Sequence, residues 1–202
     1  MTVPLRRRTR ARELALQFLY MLELSGSDAM EELLPFVEHH TKGSRDTKGR
    51  GEVAEFTLAL SRGVIGNREE IDTWIEAIAR NWRLDRMAHL DRNILRLAIF
   101  ELVFQAETPY KVVINEAIDI AKRYSTSQSG SFVNGILDRA RILIEESRAN
   151  NEGHPLPPKN AAMKSIPVPA PRGPIDQEND GFTSVSSFNP SEPRGRQSRH
   201  ED

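Results

Sequence analysis

The chain has 202 residues and no cysteine, with 28 basic and 29 acidic side chains for a formal net charge of −1. That length holds one ordinary domain or two small ones, and the lack of cysteine excludes disulfide frameworks and thiolate metal sites and fits a reducing cytoplasm. No run of 18 apolar residues exists to span a membrane, and the basic opening "MTVPLRRRTRARELAL" lacks the apolar stretch of a signal peptide.

Arg6, Arg7, Arg8, Arg10 and Arg12 come before any acid. Such a block repels itself, and an anion relieves the repulsion. It reads either as a solvated basic start or as a basic surface presented by the helix that continues out of it. That first helix carries an apolar stripe of Ala11, Leu14, Ala15, Phe18, Met21 and Leu22 at 3.6-residue spacing. Asp28 is a candidate N-cap for a second helix with Leu33, Leu34, Phe36 and Val37. The composition of "TKGSRDTKGRGE" predicts a loop.

Val53, Phe56, Leu60 and Val64 mark a third helix, which Gly66-Asn67 ends. Ile71, Trp74, Ile75 and Ile78 mark a fourth, and a turn follows at "WRLDRMA". Asp91 opens a fifth, with Ile94, Leu95, Ala98 and Leu102 inward. Thr108 caps and Pro109 opens a sixth, carrying Val113, Ile114, Ala117, Ile118 and Ala121. Ser129 or Ser131 caps a seventh, with Val133, Ile136, Leu137, Ala140 and Ile144. "KVVI" has strand propensity, but no second strand signal pairs with it. The fold class is therefore all-α, about seven helices with short connections and mostly antiparallel neighbours. Asn115 and Asn134 read as structural amides where the last two helices meet.

Residues 1–150 read as the folded domain and 151–202 as a disordered tail. Nine of the twelve prolines fall in 155–193, with few large apolar side chains to offset chain entropy.

The five histidines have no ligand spacing on a helix face, and no glycine loop cradles a phosphate. No residue set demands catalysis, and no cofactor is expected. Binding chemistry is better represented. The arginine block and Lys111 supply phosphate contacts. Phe132 follows the polar loop "STSQSGS", the combination that stacks and reads single-stranded RNA. The same ring also reads as a core anchor of the seventh helix.

The segments "RTRARELALQFLYMLELS", "LDRNILRLAIFEL", "PYKVVINEAIDIAK" and "FVNGILDRA" together resemble the NusB family of bacterial transcription antitermination factors, over roughly residues 6–146. The resemblance implies two packed three-helix bundles with the arginine-rich helix at an RNA face. It implies a heterodimer with NusE, a small-subunit ribosomal protein. That heterodimer binds boxA RNA of nascent transcripts, notably of ribosomal RNA operons, and supports RNA polymerase through terminators in an antitermination complex. Carried over by position, the RNA set is Arg6, Arg7, Arg8, Arg10, Arg12, Lys111, Gln128 and Phe132. The NusE-facing set is Tyr20, Asp85 and Asp91. Whether the free protein forms a homodimer is left open.

Three features depart from the family pattern. Thr9 interrupts the arginine run, Gln128 stands where an acid can occur, and the segment after residue 150 lies beyond the usual end. Two alternatives are set against the resemblance. One is a methyltransferase with a NusB-like domain, which needs an α/β domain for which no sequence remains. The other is a helical protein-interaction module that does not bind RNA.

Overall fold

The structure, a computed structural model, describes residues 5–42, 46–105, 107–150 and 154–158. A first unit runs Met1–Ala170; the second, Pro171–Asp202, lies outside the described residues, as does most of the expected tail.

Helix α1 (Leu5–Ser25) buries Ala11, Leu14, Ala15, Phe18 and Leu22 of the predicted stripe, and Met21 is half-buried. It stops at Gly26, whose φ of +87° is open to glycine and whose N–H returns to the Leu22 carbonyl at 2.9 Å. A 3₁₀ turn, Ser27–Glu32, leads into α2 (Leu33–Thr41). The expected N-cap Asp28 thus falls inside the turn, and Glu32 precedes α2 instead. Pro35 then sits in the first turn of α2, where a missing N–H costs nothing.

Helix α3 (Thr47–Gly66) begins inside the stretch expected to be a loop. Asp46 caps it, accepting the Gly49 N–H at 2.9 Å. A Cβ on Gly49 would lie 2.2 Å from Asp46 Oδ2 and 2.7 Å from Arg7 Nε. That glycine marks a close approach of α1 to α3 rather than a chain break. Helices α4 (Arg68–Ile78), α5 (His89–Phe104), α6 (Tyr110–Tyr124) and α7 (Ser129–Asn150) follow, with a 3₁₀ turn at Leu84–Arg86 before α5. Pro109, not Thr108, precedes α6 directly. Ser129 is the first residue of α7, and its hydroxyl accepts the Thr126 N–H at 3.2 Å.

Among the described residues the all-α expectation holds, as two three-helix groups, α1–α3 and α5–α7, with α4 against α5 and α7. One large core includes Leu16, Leu60, Trp74, Ile75, Leu95, Ile99, Val133 and Leu137. A smaller one forms around Phe18, Leu22, Leu33 and Val37. Each fully buried Leu, Ile or Phe contributes roughly 1.5–3 kcal/mol. Helix α5 is buried on every side from Asp91 to Val103. Gly63 brings α3 against it so closely that a Cβ would meet the Phe100 ring at 2.0 Å.

Three core assignments change. Asn115 is exposed, and Asn134 is half-buried with its amide 3.3 Å from Asp138 in its own helix. The buried polar group of α6 is Glu116, which accepts from Thr9 of α1 at 3.0 Å. Ile118 is only partly buried. Residues 154–158, expected in the tail, lie on the bundle. His154 Nε2 is 2.7 Å from Glu70 Oε1, and its ring is 4.7 Å from that of Phe104. Leu156 exchanges both backbone groups with the Ser147 hydroxyl, at 2.9 and 3.1 Å.

Candidate nucleic-acid interface

The five arginines follow one another in sequence but not in space, because α1 turns each by about 100° from its neighbour. Arg6 and Arg10 are exposed. Arg10 reaches Glu13 at 3.4 Å. Arg7 is held by Asp46 and Glu52, both at 2.6 Å. Its pKa is raised by the Glu52 hydrogen bond, with a smaller contribution from Asp46. Arg8 is half-buried, with its guanidinium 4.8 Å from the Phe56 ring centroid and 3.5 Å from the Thr108 hydroxyl.

Arg12 departs from expectation. It is 3% exposed and donates to both Glu101 oxygens, at 2.7 and 2.5 Å, with Glu116 at 3.6 Å. Its charge is held between two buried carboxylates, Glu101 and Glu116, and is out of reach of an RNA phosphate. The sequence did carry a signal: Arg12, Ala15 and Leu19 share one helical face, and Glu101 interrupts the apolar run of α5.

The Arg8–Thr108 contact sets the cationic start of α1 beside the start of α6, where Lys111 is exposed. Gln128 is exposed in the connection between α6 and α7, beyond the far end of a helix that runs about 20 Å from Lys111 to Tyr124 at 1.5 Å per residue. The expected RNA set therefore divides into two groups, one near each end of α6. Arg123, missed in the sequence, lies between them; its side chain is 60% exposed and pairs with Glu13 of α1. Phe132 is half-buried, and its ring centroid is 4.7 Å from that of Trp82. It packs on the core while keeping one part accessible.

The remaining three residues gather around the start of α5. Tyr20, 37% exposed, meets the His89 ring edge-on at 6.3 Å. Asp85 is exposed in the preceding turn and chelated by Arg83 at 3.0 and 2.8 Å. The Arg83 hydrogen bond is the main cause of its lowered pKa. Asp91 is more enclosed than expected, at 9% exposure; one oxygen accepts from Ser129 at 3.0 Å, tying α5 to α7.

Beneath this surface lies an ion network that was not foreseen. Glu23 of α1 accepts from Arg92 and, at 2.8 Å, from Asn93; Arg96 binds Asp72 of α4 at 2.7 and 2.9 Å. Burial pushes the Glu23 pKa up, but hydrogen bonds from Arg92 and Asn93 and the charges of Arg92 and Arg96 outweigh it, leaving it lowered. These groups line a cavity of about 630 Å³ that Asp85 borders. Among the described residues no cluster of three or more His, Asp or Glu could hold a metal ion, and no helix is long and apolar enough to cross a membrane.

The sequence model of the NusB family matches residues 9–141. The transcription antitermination protein NusB of Anaeromyxobacter dehalogenans (strain 2CP-1 / ATCC BAA-258) is 47% identical over 142 residues, covering 70% of this chain and 95% of that protein. A solved structure of T. maritima NusB is 37% identical with a TM-score of 0.56, covering 70% of this chain and 93% of that one. A chain from a crystal structure of the antitermination factors NusB and NusE in complex with dsRNA is 30% identical with a TM-score of 0.58, covering 68% and 97%. With matched residues from the start of α1 well into α7, and with identity at this level along nearly the whole of its relatives, the chain belongs to the NusB family.

Proposed function

We propose that this protein is a transcription antitermination factor that binds boxA RNA of nascent transcripts as a heterodimer with NusE. In that heterodimer it supports RNA polymerase through terminators, notably in ribosomal RNA operons. The observation that carries the reading is the likeness to a chain solved with NusE and RNA. The role needs no catalytic step, and its place is the cytoplasm, where transcripts emerge.

On this reading the RNA runs along the edge from Arg6, Arg8, Arg10 and Lys111 toward Gln128 and Phe132. The cations bind phosphates and fix register; Phe132 and the polar loop contact bases. Arg7 contributes less, since two carboxylates already hold it. NusE takes the surface around Tyr20, Asp85 and Asp91. Few of the cations are unengaged, so the chain alone binds weakly and NusE completes the site.

Titration of a boxA RNA with the chain alone, and again with NusE present, tests this. The expected result is a large gain in affinity with NusE. Equal affinities would sink the heterodimer reading, and no binding in either case would remove RNA altogether.

A further inference from the structure

The start of α1, the end of α2 and the start of α3 enclose a recess of about 260 Å³. Five cations line it, Arg6, Arg7, Arg10, Lys42 and Arg50, against one carboxylate, Asp46. Arg7 bonds to that carboxylate, and Arg10 to Glu13 outside the recess. Arg6, Lys42 and Arg50 are exposed, and their side chains have no hydrogen-bond or ion-pair partner among the described residues. Three unneutralised cations around one hollow repel one another until an anion enters.

A helix end favours an anion too. The first turn of α3, at the positive end of that helix, lines the recess.

We propose that this recess is a phosphate-binding site for single-stranded RNA lying beyond the boxA contacts, with Lys42 and Arg50 as its main cations. The occupant is RNA rather than another anion because Arg6 and Arg10 belong at once to the recess and to the proposed RNA edge. A strand leaving that edge at the head of α1 passes directly over Lys42 and Arg50. The inference rests on the RNA reading above and extends it around the corner of the first bundle.

The test uses the full chain with NusE and three RNAs: a minimal boxA, and boxA with added unpaired flank on the 5′ or the 3′ side. The parent is compared with a Lys42→Ala/Arg50→Ala variant, whose melting temperature should be unchanged because both side chains are exposed. One flanked RNA should bind the parent more tightly than the minimal one. For that RNA the variant should lose roughly tenfold or more at 0.1 M salt, and its log-affinity against log-salt slope should flatten by ~1.4, about 0.7 per lost phosphate contact. Minimal boxA should bind both proteins alike. Lys42→Arg/Arg50→Lys should restore the flanked affinity.

Equal binding of every RNA by parent and variant would overturn the recess while leaving the boxA reading intact. Failure of the parent to bind any RNA would overturn both. Protection of Lys42 from acetylation by inorganic phosphate, with no effect of the variant on RNA, would make it a free-phosphate site and also overturn the proposal.

Discussion

Arg12 of α1 and Glu101 of α5 face each other through two parallel hydrogen bonds, 2.7 and 2.5 Å long, with 3% and 1% of their surfaces exposed. Removing one member leaves the other as an uncompensated buried charge. Arg12→Ala should therefore cost about 3–5 kcal/mol of folding stability. Urea unfolding of Arg12→Ala beside Arg10→Ala checks this. Arg10→Ala, at an exposed position, should unfold almost as the parent does.

Phe132 tests the divided character of its ring. Phe132→Ala should cost about 2–3 kcal/mol of stability, below the ~3–5 of a fully buried ring, since only part of it packs on Trp82. RNA affinity, titrated well below the melting point, should fall by ~1–3 kcal/mol with no change in salt slope. A variant that melts lower yet binds RNA normally would return Phe132 wholly to the core.

Asp85 and Asp91 should separate on substitution. Asp85→Lys changes an exposed turn residue, so the melting temperature should hold while NusE binding falls in calorimetry. Asp91→Lys should lose both. It removes a favourable charge at the start of α5, worth roughly 0.3–1 kcal/mol, and it forces a cation into the space where Ser129 donates. Unimpaired NusE binding by Asp85→Lys would exclude that residue from the interface.

Much of this was legible and some was not. The periodic stripes of α1, α4 and α7 became buried faces because a helix with one apolar stripe has one way to hide it. The start of α3 was obscured by Gly49 and Gly51, which look like a loop in composition; at Gly49 the cause is the approach of Arg7 and Asp46 across two helices. Asn115 was read as a paired amide where the last two helices meet, yet one position along a helix is a turn of about 100°, and Glu116 took the inward place. The arginine block looked uniform, and only the partners across the interface distinguish Arg12 from Arg10.

Glu23 gives a pH dependence of definite sign. Its folded-state pKa is lowered, so it contributes stability that is full above the unfolded carboxylate value of ~4.3 and is lost as pH falls through the folded value. Glu23→Gln should melt below the parent at pH 7. The gap should narrow in melts run at successively lower pH through the acid range. A gap that widened on acidification would contradict the lowered pKa.

Truncation should locate the end of the folded part. A chain ending at residue 158 should melt as the full chain does. One ending at residue 150 loses the His154–Glu70 and Leu156–Ser147 contacts. At a net of about 1 kcal/mol it should melt roughly 2–4 °C lower. Identical melts for all three would mean that the 154–158 contacts add nothing.

Helix α1 is anchored to α5 twice, at Arg12–Glu101 and at Glu23–Arg92. Those two α1 positions are eleven residues apart, close to three whole turns, so both anchors lie on the same side of the rod. One residue inserted or deleted between them would rotate one anchor by about 100° relative to the other, and a single rigid helix could not keep both. The span 13–22 should therefore tolerate substitution on its outer face yet reject any change of length.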